Sequence, residues 1–118
     1  MTKSARSNAL VRPRIQLGDA VALGPGKIDL LRAICETQSI SGAARQMGLA
    51  YKRAWLLIDT LNQGFGRPVV TTATGGKGGG GAHLTPLGEQ IVLRYDALEA
   101  RINTAAQAEV AALRRLLR

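Results

Sequence analysis

The side chains of this chain that could do chemistry are cations, aromatics and glycines, and the chemistry they suit is holding a polyanion. Tyr51, Lys52, Arg53, Trp55 and Leu56 follow one another closely, with Ser41 and Arg45 a little upstream. Arginine and lysine at the start of a helix can reach base edges in a major groove, while serine hydroxyls and backbone N–H groups satisfy phosphate oxygens. Further on, Gly76, Lys77 and Gly78 lie inside the tract Gly75–Gly81. Glycine backbone can approach a phosphate closely because no Cβ intervenes, and Lys77 adds the charge.

Other chemistry has less to build on. Asp29, Asp59, Glu89, Asp96 and Glu99 form no cluster in sequence and share no histidine, so no acid/base or hydrolytic site is expected, and the chain reads as a non-enzyme. A single cysteine, Cys35, and a single histidine, His83, cannot make a Cys/His zinc site or an intrachain disulfide. Neither metal nor cofactor is expected. Cys35 falls on an apolar stripe and reads as a buried structural thiol; His83 falls in the second arm of a hairpin. The glycine tract formally matches G-x-G-x-x-G, but a strand rather than a helix follows it, so the dinucleotide reading fails. Lys77 is followed by glycine rather than a hydroxyl residue, which removes the P-loop reading as well.

Charge supports the polyanion. The 118 residues carry 16 Lys and Arg against 8 Asp and Glu, a net charge of +8. Residues 1–18 hold Lys3, Arg6, Arg12 and Arg14 ahead of any acid, and residues 37–88 hold Arg45, Lys52, Arg53, Arg67 and Lys77 against Asp59 alone. Duplex DNA is the expected partner, an anionic membrane surface being the rival. No apolar run suits a bilayer span and the N-terminus lacks the apolar core of a signal peptide, so a cytoplasmic protein is expected.

These residues need elements to position them. Residues 1–11 are polar and aperiodic and read as a mobile basic arm; Arg12–Leu17 alternates as a short strand. After Gly24-Pro25-Gly26, the residues Ile28, Leu31, Ile34 and Cys35 recur at helical spacing as far as Thr37. Ser41 is the expected cap of a short helix that stops at Gly48. From Leu49 a longer helix carries the stripe Ala54, Leu57, Ile58 and Leu61, ending between Asn62 and Gly66. Helix, tight turn, helix is the helix-turn-helix arrangement. Residues 68–74 and 82–85 read as strands either side of the glycine tract, a hairpin in the place of a wing.

Thr85 and Pro86 open a last helix, with Thr85 as cap. Its stripe Leu87, Ile91, Tyr95, Leu98, Ile102, Ala106, Val110, Leu113 and Leu117 outruns a small core. Ile91 to Leu113 are therefore expected on a dimer face, a second copy being the simplest cover. The organisation expected is a basic arm at 1–11, a winged helix-turn-helix domain at 12–85 and a dimerisation helix at 86–118: mostly α, with a small β wing.

The run Ser39–Trp55, followed by Asp59, Leu61, Asn62 and Gln63, resembles the N-terminal DNA-binding domain of the ModE molybdate-responsive regulators. The segment Ala73–Ala82 with Leu84 and Thr85 is similar to that family's wing. More distantly, Leu84-Thr85-Pro86-Leu87-Gly88 resembles the LysR-type regulators. Ala50 departs from the pattern, since related domains place there a serine that can cap the recognition helix and reach a phosphate.

The resemblance implies a homodimeric, sequence-specific DNA-binding regulator, a repressor of genes for molybdate transport or other molybdenum-related genes. Full-length members carry C-terminal molybdate-binding domains, and the expectation for this chain is that it binds no molybdate itself. Two alternatives accompany this reading. One is an interaction protein that heterodimerises with a full-length regulator; the other is a sequence-blind nucleoid-associated protein.

Overall fold

The computed structural model describes residues 10–19, 21–73 and 81–118. Two short strands open the chain, β1 (Ile15–Leu17) and β2 (Val21–Leu23), paired antiparallel with Ile15 opposite Leu23. Three helices follow: α1 (Pro25–Thr37), α2 (Ile40–Met47) and α3 (Tyr51–Phe65). A hairpin of β3 (Val70–Ala73) and β4 (Gly81–Leu84) leads into α4 (Pro86–Arg114). This is a winged helix-turn-helix fold with a long C-terminal helix. Among the described residues, no helix is long and apolar enough to cross a membrane.

Local chemistry sets the breaks. Proline at the first position of α1 costs no hydrogen bond there. The helix ends at Gln38, a non-glycine in the left-handed region (φ 57°) whose N–H reaches the Ile34 carbonyl at 2.7 Å. The cap of α2 is Ser39, not Ser41: the Ser39 hydroxyl accepts from the Gly42 N–H at 2.9 Å, and Ser41 lies inside the first turn. Ile40 is buried, so the helix must start there, and the extended residue before it takes the capping position. Gly48 (φ 69°) stops α2 as expected. Thr85 caps α4 by accepting from the Gly88 N–H at 3.1 Å, while its own hydroxyl donates to the Pro68 carbonyl.

The core gathers Ile28, Leu31 and Ile34 of α1, Ala43 of α2, Ala54, Ile58 and Leu61 of α3, and Val69 at the wing base. Two glycines mark where elements touch. A Cβ on Gly64 would lie 2.6 Å from the Val21 side chain, and one on Gly88 would lie 2.3 Å from the Val69 carbonyl oxygen. Thus β2 rests on α3, and the opening of α4 rests on the residue before β3.

Several expectations are corrected. The strand β2 was not foreseen, because three residues are too short for a periodic signal. Cys35 is exposed: Ala33 and Ile34 face the core, and the next residue is rotated about 100° further round the helix. Ile91 and Tyr95 belong to the chain's own core, at 6 % and 2 % exposure, and the Tyr95 hydroxyl donates to the Pro13 carbonyl at 2.6 Å. The unclaimed part of the α4 stripe starts later: Leu98, Ile102, Ala106 and Val110 are half-buried, Leu113 is exposed, and Leu117 lies past the helix. Val11, placed in the mobile arm, is held on both backbone groups by the Asn103 amide at 2.9 and 2.8 Å. Asp29 of α1 and the α4 pair Asp96 and Glu99, far from it in sequence, converge on Arg12 and Arg32.

Candidate nucleic-acid interface

Helix α3 buries Ala54, Ile58 and Leu61 with Leu57 and Phe65 packed beside them, so the opposite side of its first turns faces outward. Tyr51, Lys52, Arg53 and Leu56 are exposed, and Trp55 is half-buried. The Tyr51 and Trp55 rings meet edge to face, their centroids 6.3 Å apart at 80°. One residue turns about 100° round a helix, so Tyr51 and Trp55, four apart, share a flank. Arg53 stands about 200° round from Tyr51, on the other flank. Ala50 is extended and offers no side-chain cap, so the first N–H groups of α3 are not met by the side chain at that position.

On the aromatic flank lies a cleft of about 270 Å³, lined by Ser39, Ser41, Tyr51 and Trp55 together with Thr72 and Gly81 of the wing base. Wing and helix-turn-helix are tied there, since the Ala82 N–H donates to the Gln38 carbonyl at 3.0 Å. Three residues expected to hold DNA are thus brought to one cleft. Ser41 is placed through the 3.1 Å contact of its hydroxyl with that of Ser39. Arg45 is exposed in the last turn of α2. Gly76, Lys77 and Gly78 lie outside the described residues.

The cations divide unexpectedly. Arg12, expected at the start of a short strand, donates to Asp29 at 2.6 Å and lies 3.8 Å from Glu99. The hydrogen bond to Asp29 raises the Arg12 pKa still further, against the opposing effect of burial. Arg32 bonds Asp29 at 3.1 Å and pairs with Asp96. Arg14 and Lys27, by contrast, form no ion pair among the described residues. Sequence reasoning passed over Lys27, although it is a cation opening a helix with no acid in its first turn. Among the described residues, no group of three or more His, Cys, Asp or Glu side chains is placed to hold a metal ion.

Residues 26–89 match the family model for bacterial regulatory helix-turn-helix proteins of the lysR family, over half of the chain. The chain belongs to that family. The match runs from the start of α1, through the helix-turn-helix and wing, to the first turn of α4. Family membership marks the chain as a regulatory protein and not an enzyme.

Similarity to individual relatives is high. The chain is 50 % identical over 80 residues to the molybdenum-pterin-binding protein MopB of Rhodobacter capsulatus, covering 68 % of this chain and 30 % of that one. To the DNA-binding transcriptional dual regulator ModE of Escherichia coli K12 it is 42 % identical over 84 residues, 71 % of this chain and 32 % of the relative. To the molybdenum transport protein ModE of Azotobacter vinelandii it is 41 % identical over 96 residues, 81 % and 36 %. The chain spans about a third of the length of the curated relatives it matches. These relatives support the ModE-type reading of the helix-turn-helix.

Proposed function

We propose that this chain binds duplex DNA sequence-specifically as a homodimer in the cytoplasm, and represses genes of molybdenum uptake or use by occupying their promoters. The observation that carries the reading is the exposed face of α3, where Tyr51 lies beside the wing base and Lys52 and Arg53 continue round the helix. Arg53 reads a base edge, Ser41 and Arg45 hold phosphate, Trp55 packs along the backbone, and the charge of Lys77 serves phosphate. The molybdenum context rests on the names of the relatives. Dimerisation draws on the half-buried stripe from Leu98 and on an apolar groove of about 330 Å³, lined by Ile15, Leu17, Leu23, Phe65 and Leu87 among others. Half-sites then lie about 34 Å apart along the duplex, or a multiple of it.

The test is a footprint on the DNA upstream of the gene and its neighbours, followed by titrations on the protected sequence and a scrambled duplex. Arg53→Ala is expected to weaken the protected sequence more than the scrambled one, by about 1–3 kcal/mol of lost discrimination. Equal weakening on both would remove the base-reading role. Sedimentation at micromolar concentration is expected to give a dimer, and a monomer there would remove the two-fold arrangement.

A further inference from the structure

At the turn from β2 into α1, two cations from separate parts of the chain lie against the same backbone and form no ion pair among the described residues, and the charge of Arg53 acts on one of them as well. Arg53 comes from the first turn of α3, Lys27 from the first turn of α1, and Arg14 from the segment just before β1. The Arg14 side chain lies across the turn into α1: a Cβ built on Gly24 would sit 3.2 Å from its Cγ and 3.3 Å from its Cβ. Lys27 is half-buried, and its ammonium is held by a 3.0 Å hydrogen bond to the Ala22 carbonyl. The Lys27 ammonium is therefore fixed by a backbone carbonyl, and the Arg14 stem lies against the turn with its guanidinium exposed.

We propose that Arg14 and Lys27 together hold a backbone phosphate of duplex DNA, at a contact outside the helix-turn-helix motif and the wing. The proposal rests on the DNA-binding reading above and adds to it a site on the β1–β2 side of the domain. A cation cluster with no carboxylate partner carries unrelieved repulsion, and a phosphate oxygen supplies both the missing charge and the acceptors. The Lys27 pKa is lowered, first by burial and then by the charges of Arg14 and Arg53, which agrees with cations that lack a counter-ion. Hydrogen-bond donors remain for the anion, because arginine offers five N–H groups and an ammonium three.

The probe is a random-sequence duplex, on which binding is electrostatic and each neutralised phosphate contributes about 0.9 to the slope of log affinity against log salt. For the Arg14→Gln/Lys27→Gln double variant, the slope is expected to be shallower than wild type by about 0.9. Lys27→Arg keeps the charge and is expected to keep the wild-type slope. Arg118→Gln, at the far end of the chain, controls for net charge and is also expected to keep it. Circular dichroism verifies that each variant is folded, and glutamine at 27 can still donate to the Ala22 carbonyl. A double variant that is folded and has the wild-type slope overturns the phosphate contact, leaving the DNA-binding reading intact. Wild-type protein that fails to bind the duplex even at low salt removes that reading and this contact together. Inorganic phosphate titrated into free protein at constant ionic strength separates the sources: saturable, stoichiometric binding would reassign the cluster to a small oxyanion and overturn the DNA assignment.

Discussion

Arg12 and Arg14 are two residues apart, yet they belong to opposite kinds of charge cluster. Arg12 turns inward to Asp29 and Glu99, joining Arg32 and Asp96 in a network that ties the N-terminal segment and α1 to α4. Arg14 lies across Gly24, at the turn that leads to Lys27, and neither cation forms an ion pair among the described residues. An extended chain sends successive side chains to opposite faces, but residues two apart to the same one, so alternation does not separate this pair. Pro13 between them, its carbonyl held by Tyr95, is where the chain turns from α4 toward the β hairpin. The comparison teaches that a basic tally overstates what is offered to DNA: one cluster is structural, and the other is left for a ligand.

The largest effect that would break this comparison is on stability. Asp29 accepts from both Arg12 and Arg32 and is 5 % exposed, so Asp29→Ala leaves two partly buried guanidinium groups without their shared carboxylate. A loss of about 2–4 kcal/mol is expected, at the lower side of the range for a broken buried pair because the arginines keep some solvent. Urea denaturation measures it. The Arg14→Gln/Lys27→Gln variant is expected to stay within about 0.5 kcal/mol of wild type by the same method. Equal losses in the two variants would mean that both clusters are structural.

Next in size is Tyr95. Replacing it with phenylalanine removes the hydrogen bond to Pro13, expected to cost about 1 kcal/mol near pH 7. Its pKa is raised above the ordinary 10.0, first by burial and then by the charge of Glu99. The native state thus holds the proton more tightly than the unfolded chain. The resulting stability is fully present below pH 10 and is lost as pH rises through the folded pKa. Stability of the wild type is expected to fall across that alkaline window more steeply than that of Tyr95→Phe; parallel curves would remove the claim that this phenol is buried against the anionic side of the network.

The smallest effect has the opposite sign. The Lys27 pKa is lowered from 10.5, so just below that pH the unfolded chain binds more protons than the native state, and stability rises with pH through the window between the two pKa values. In Lys27→Gln that rise is expected to disappear, which a series of urea denaturations between pH 8 and 10 checks. Added duplex is expected to shrink the wild-type rise as well, because a phosphate beside Lys27 restores the charged form.

Much of the fold was legible along the chain. The stripes of α1 and α3, the glycine stop at Gly48, the strands about the glycine tract and the Thr85-Pro86 opening of α4 are all local signals, and each element stands where those signals put it. The cap at Ser39 shows the limit of such signals. Two serines two apart both suit the role, and the burial of Ile40 decides between them.

What the sequence determined by itself is what depends on neighbours within a few residues: helix and strand period, breaks, caps, and the off-stripe set Tyr51, Lys52, Arg53, Trp55 and Leu56. The tertiary structure alone decided which charges meet and which apolar residues remain uncovered. Arg12 finds Asp29 and Glu99, and Arg14 comes to the turn that carries Lys27, only after β1, β2, α1 and α4 have packed. Tyr95 moved from an expected dimer face into the core because the segment ending at Pro13 folds back over α4. The physical reason is common to all three. Charge interactions and burial depend on distance in space, and the long-range packing that sets those distances leaves no period or spacing in the chain.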